Sequence, residues 1–298
     1  NWVKVAEVPG FATGGDSVTT LQQSQAVQEQ PVPTDASNPP SKKKKIILWA
    51  GVGGVATLLV AGLLIWLLGG KEQGDGNTQS VAHDAQDGGL SEIVRFGDTN
   101  LKSKVCEALG KPKGIMLTRK NLASLENLEA LKAEITDLSG LENASNLIKL
   151  ELYNNQITDL TPLAELTNLT ELGLGNNQIT DLTPLAGLTN LERLTAQGNS
   201  ITDLLPLARL TNLTKLVVGN RQIADLTPLA GLTNLIELHI GHGQITDISP
   251  LAGLISLKVL YLESNKITYI MPLTRLTKLE VLWLQGNQIT DVSPLKGL

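Results

Sequence analysis

The chain has 298 residues, 42% of them apolar but only 3% aromatic, with a formal net charge of −5 and a pI near 5.3. That balance offers no basic face to a phosphate backbone, which excludes nucleic acid as a partner. The single cysteine, Cys106, excludes an internal disulfide framework and a cysteine-based zinc site and reads as a small packed hydrophobe. Asn1 rather than Met opens the chain, so the sequence reads as a piece of something longer. Residues 1–41 are rich in Gln, Pro, Ser and Thr, as in "LQQSQAVQEQPVPTDASNPPS". Such a segment buries too little apolar surface to offset its ordering entropy, and a disordered polar tail is expected.

Residues 42–70 change character. Lys42 to Lys45 precede a run from Ile46 to Leu68 that carries no charge. As a helix at about 1.5 Å per residue it would reach roughly 34 Å, enough to cross a bilayer with some tilt. Trp49 and Trp66 stand near its ends, where indole rings favour the membrane interface. The four lysines outweigh Lys71 with Glu72 and Asp75 on the other side, so the N-terminal side is expected in the cytoplasm and everything downstream outside it. This is a single-pass reading. Residues 71–90 form a polar, glycine-containing linker that lets the next domain stand off the membrane.

From Leu125 the text repeats. "QITDLTPLAGLTNL" (Gln178 to Leu191) returns nearly unchanged at Gln156 and Gln222, and more worn at Gln244 and Gln288. Aligned on the first leucine, units begin at Leu125, Leu147, Leu169, Leu191, Leu213, Leu235, Leu257 and Leu279, a period of 22 residues. A fixed period of this kind signals a stacked array in which no unit can cover its own leucines. Leu150 and Leu152 alternate as a short strand requires, facing inward, while Glu151 and Tyr153 face outward. Asn155, Asn177, Asn199, Asn265 and Asn287 fall where the chain leaves each strand, positions from which side-chain amides satisfy turn and neighbouring-coil backbone as a ladder. Asp159, Asp181, Asp203, Asp225, Asp247 and Asp291 each precede a proline by three residues, a spacing that suits an Asx cap opening a helical turn on the return side. Arg221 and Gly243 interrupt the asparagine series and Tyr269 the aspartate series, so local irregularity is expected there.

The pattern LxxLxLxxNxITDLxPLAxLTN resembles the 22-residue leucine-rich repeats of bacterial internalin-like surface proteins. The stretch from Val94 to Leu128, "VRFGDTNLKSKVCEALGKPKGIMLTRKNLASLENL", is similar to the small helical cap that precedes internalin repeats. The resemblance implies an α/β leucine-rich repeat solenoid of short parallel strands and 3-10 returns over residues 125–298, eight units with the last incomplete, behind a helical cap at 91–124. It also implies a strand face that binds a macromolecule, without naming which one. Because the chain stops at Leu298, short of completing its last unit, a further cap is expected to follow; otherwise Leu282, Leu284 and Ile289 are expected to be exposed.

Outward strand positions carry no scaffold duty, so recognition is expected there. One column reads Glu151, Gly173, Thr195, Val217, His239, Tyr261, Trp283, and its last three form an aromatic strip joined by Val259 and Val281 in the parallel column. With Tyr153 and His242 these are the candidate residues for binding a protein or glycan ligand. The alternative is that the rings pack against one another or against a downstream cap. A second column, Lys149, Glu171, Arg193, Lys215, Glu237, suggests surface ion pairs of about 0.2–1 kcal/mol each, serving solubility. His239 and His242 lack an acidic ligand column, so neither a metal nor another cofactor is expected. No Ser-His-Asp or Cys-His group can be assembled, because the acids are used at turns; the chain is not expected to be an enzyme. Asn143, Asn168 and Asn212 match glycosylation acceptors, incidental in a chain of bacterial appearance. The reading is a membrane-anchored recognition module. The alternative is the sensor half of a transmembrane signalling protein whose cytoplasmic effector lies upstream.

Overall fold

A computed structural model describes residues 92–219 and 221–298. The tail, the membrane-spanning helix and the linker expected over 1–41, 42–70 and 71–90 lie outside the described residues. Among the described residues no helix is long and apolar enough to cross a membrane.

The segment before the repeats closes the first coil. Helix α1 (Thr99–Ala108) starts at Asp98, whose side chain accepts hydrogen bonds from the amides of Asn100 and Leu101. Leu101, Val105 and Cys106, at helical spacing, are fully buried against the repeat core, and Cys106 is a free thiol there. The second oxygen of Asp98 accepts from the backbone N–H of Thr136 at 2.9 Å, which ties the helix start to the first return loop. A short helix α2 (Arg119–Leu122) opens with a capping box between Thr118 and Asn121, and Thr118 also bridges antiparallel to Ile93.

Each unit then contributes one three-residue strand: β1 (Asn127–Glu129), β2 (Lys149–Glu151), β3 (Glu171–Gly173), β4 (Arg193–Thr195), β5 (Lys215–Val217), β6 (Glu237–His239), β7 (Val259–Tyr261) and β8 (Val281–Trp283). They form one parallel sheet in chain order, and every pairing is offset by one unit, as in Leu150 with Leu172 and Leu172 with Leu194. No register slip is available, because a shift of one residue would turn each buried leucine into solvent. The core is a single pile of aliphatic side chains running from Val94 to Leu284.

The return of each coil is a short 3-10 turn behind the sheet. Asp159, Asp181, Asp203, Asp225, Asp247 and Asp291 each accept the N–H two residues on at 2.8 Å, and the proline that follows needs no partner for its nitrogen. Where Tyr269 replaces the aspartate, the turn Met271–Arg275 still forms and the tyrosine side chain is exposed. Proline alone therefore suffices to set the turn.

The asparagine ladder is present as the spacing implies. Asn177 Nδ2 donates to the carbonyls of Leu152 and Leu174, and its Oδ1 accepts from Ile157 N–H, so one amide links adjacent coils. Asn155, Asn199, Asn265 and Asn287 repeat this geometry. At Gly243 the backbone itself comes close: a Cβ there would lie 2.6 Å from Asn265 Oδ1 and 2.8 Å from the Ile223 carbonyl, so no asparagine fits. His242, just before it, adopts a left-handed φ of 61°.

One expectation is corrected at the far end. Leu282 is fully buried and Leu284 nearly so, because the turn Ser293–Gly297 folds beneath them with Leu295 and Leu298 packed on the core. Ile289 is half-buried.

Candidate functional site

The outer face of the sheet presents three columns of side chains, two from within the strands and one just beyond them. The first carries Lys149, Glu171, Arg193, Lys215, Glu237, Val259 and Val281, and the second Glu151, Gly173, Thr195, Val217, His239, Tyr261 and Trp283. The third, held in line by bonds such as Asn154 N–H to Gly175 O and His242 N–H to Glu263 O, contains Tyr153, Gly175, Gln197, Gly219, Gly241, Glu263 and Gln285.

Five of the candidate residues come together on β6 to β8. The rings of His239 and Tyr261 lie 4.1 Å apart between centroids, and those of Tyr261 and Trp283 lie 5.1 Å apart, both pairs tilted. Such offset contacts hold aromatic side chains in place without covering their outer edges. Val259 and Val281 pair beside them and are half-buried. His239 Nε2 approaches Glu237 Oε1 to 2.8 Å, and the same oxygen takes Lys215 Nζ at 2.8 Å. Burial of the imidazole lowers the His239 pKa, more than the Glu237 carboxylate raises it, so the ring is neutral near pH 7. The strip therefore presents an uncharged edge to solvent.

The other two candidates stand apart from it. Tyr153 is on β2's extension, four coils from His239's strand, or about 19 Å at the usual strand spacing. Its ring lies over Gly175, and Glu151 lies over Gly173; a Cβ on either glycine would collide with these side chains. Burial raises the pKa of Tyr153, helped by the Glu151 charge, and burial likewise raises that of Glu151 against the pull of Lys149. His242 sits in the turn past β6, exposed, with Nε2 4.0 Å from Glu263 Oε1. The two histidines of "HIGH" thus belong to different surroundings: one is stacked on Tyr261, the other marks a turn.

Sequence reasoning missed the third column beyond Tyr153. Gly219 and Gly241 are consecutive there, with the Glu263 carboxylate folded over Gly241, leaving the sheet face low over Gly219. Two glycines one period apart at an outward strand position were the available signal. Charges of the first column pair at two places, at 3.8 Å for Lys149 with Glu171 and 2.8 Å for Lys215 with Glu237.

One short parallel strand per 22-residue coil, an amide ladder and a 3-10 return define a leucine-rich-repeat solenoid. The family model for leucine-rich repeats in two copies matches residues 145–187, 189–231, 233–273 and 255–297. Internalin C2 of Listeria monocytogenes is 42% identical, with a TM-score of 0.64 over 68% of this chain and 90% of that one. Internalin F of the same organism is 32% identical, with a TM-score of 0.53 over 68% of this chain and 73% of that one. The functional domain of InlJ, also from Listeria monocytogenes, includes a cysteine ladder; it is 29% identical, with a TM-score of 0.56 over 68% of this chain and 49% of that one. No curated protein matches the chain by sequence. The chain belongs to the leucine-rich repeat family, as an internalin-like member, with asparagines forming its ladder.

Proposed function

We propose that the repeat domain is a recognition module that binds a protein ligand through its strand face, centred on the strip of His239, Tyr261 and Trp283 with Val259 and Val281 alongside. The observation that carries this reading is the strip itself: three rings in contact and two aliphatic neighbours, all half-buried, on a face whose other large side chains, Val217 and Tyr153 apart, are charged or polar. Rings held by one another lose little entropy on binding and supply the apolar anchors of protein interfaces.

The test is direct. A ligand selected on the full chain from a displayed protein library should lose at least about 100-fold in affinity when Tyr261→Ala and Trp283→Ala are combined, with the melting temperature unchanged. A ligand indifferent to both changes would place recognition elsewhere.

Display outside the cytoplasm completes the proposal. It rests on the uncharged run from Ile46 to Leu68 and the lysines before it. A Ser80→Cys variant expressed in intact cells should react with a membrane-impermeant maleimide, since the native thiol of Cys106 is buried and out of reach. Labelling only after lysis would put the repeats on the cytoplasmic side.

A further inference from the structure

A concavity runs along the flank of the solenoid, where each coil enters its strand. It has a volume of about 500 Å³ and is lined by Asn146, Asn168, Asn190 and Asn212 on one side and Glu126, Ile148, Thr170 and Glu192 on the other. Both rows cross four coils, so the trough lies across the strands and is separate from the aromatic strip.

The asparagines of this row are not those of the ladder. Asn146 Nδ2 donates to Ala123 O, Asn168 to Ser145 O, Asn190 to Thr167 O and Asn212 to Thr189 O, all at 2.8–2.9 Å. One N–H of each amide is thereby fixed to the preceding coil. The Oδ1 atom and the second N–H of each are left in a set orientation, repeating at the strand spacing of about 4.8 Å. The same bonds engage the amides of Asn168 and Asn212, two of the three glycosylation-type positions, in scaffold contacts.

The trough thus holds a row of paired acceptors and donors, pre-oriented, with carboxylates of Glu126 and Glu192 and a half-apolar floor at Ile148. The period decides what fits. An extended peptide laid along it would repeat its side chains every 6.6–6.8 Å, about 3.3–3.4 Å per residue, and would fall out of step within two coils. A chain of β-1,4-linked hexoses advances by close to one coil per ring, with successive rings turned over so that the same edge returns at every second coil, and each ring brings hydroxyls that both donate and accept. We propose that this trough binds a linear β-linked glycan of three to four sugar units, one ring per coil. The site is independent of the strand face and does not rest on the strip's role.

The experiment is calorimetry of the full chain with β-1,4-linked oligomers of glucose, N-acetylglucosamine and mannose, from dimer to hexamer. At least one series should bind, with affinity climbing to the tetramer and then levelling off as the four coils are filled. Ile148→Arg, at an exposed side chain outside the core, should weaken the tetramer by about tenfold or more while the melting temperature holds. Tyr261→Ala with Trp283→Ala should leave it unchanged. Absence of binding by every series, affinity that ignores length, or loss through the Tyr261 and Trp283 changes in place of Ile148→Arg would overturn the proposal. Loss of the strand-face ligand with retained glycan binding separates the two readings.

Discussion

At Asn177 a single side chain does the work of a crosslink. Its amide serves two carbonyls and one N–H that belong to two successive coils, all buried. Asn177→Ala leaves the Ile157 N–H without a partner, whereas the carbonyls of Leu152 and Leu174 keep the amides of Asn155 and Asn199, so a loss of about 1–3 kcal/mol is expected. Urea titration of the variant checks this; a loss below 1 kcal/mol would mean that water replaces the amide. The residue was legible beforehand because it recurs at a fixed interval just past an alternating strand. Gly243 was legible only as an interruption. What makes it glycine is the approach of the Ile223 carbonyl and Asn265 Oδ1, a distance between coils that no one-dimensional pattern contains.

At the scale of the element, helix α1 depends on how Asp98 holds its charge. Burial pushes the Asp98 pKa up, but the amides of Thr136, Leu101 and Asn100 and the Thr136 hydroxyl together pull it below its ordinary value. With the folded pKa lowered, the stabilisation is present in full above the unfolded value of about 3.9 and disappears as pH falls through the folded value. Asp98→Asn should therefore lower the free energy of unfolding at pH 7 by about 1–2 kcal/mol, and the margin should shrink below pH 4. Equal margins at pH 7 and pH 3 would refute the role of the charge. The helix was expected from its likeness to internalin caps, whereas the bond from Asp98 to Thr136 spans 38 residues and has no local signature. Strands were the easiest elements to foresee, since Leu150 and Leu152 alternate in every unit. The aromatic strip followed from the same columns, because a parallel sheet in chain order makes positions one period apart into neighbours. The flank trough did not, because its asparagines sit in the "LTNL" text that reads as scaffold until Asn168 and Asn190 are seen to turn their amides onto the coil before.

For the whole molecule, contact is confined to consecutive coils, so stability is a sum of units and interfaces. That sum is expected to be lowest where the ladder is interrupted. Ile157 and Ile179 give their N–H to an asparagine one coil on, and for Ile223 the corresponding position is Gly243. Native-state hydrogen exchange should find the Ile223 amide exchanging about tenfold or more faster than those of Ile157 and Ile179, marking a seam within the solenoid. Uniform protection along the series would show that the interruption carries no energetic consequence. The in-register sheet has a further bearing on distance. The ring stack on β6 to β8 is separated from α1 by a whole number of coils. Gain or loss of one 22-residue unit between them would slide the stack by about 4.8 Å and leave the backbone pairing of the remaining coils in register. Reach between the two ends of the domain is in this way a stepped quantity, adjustable by duplication alone.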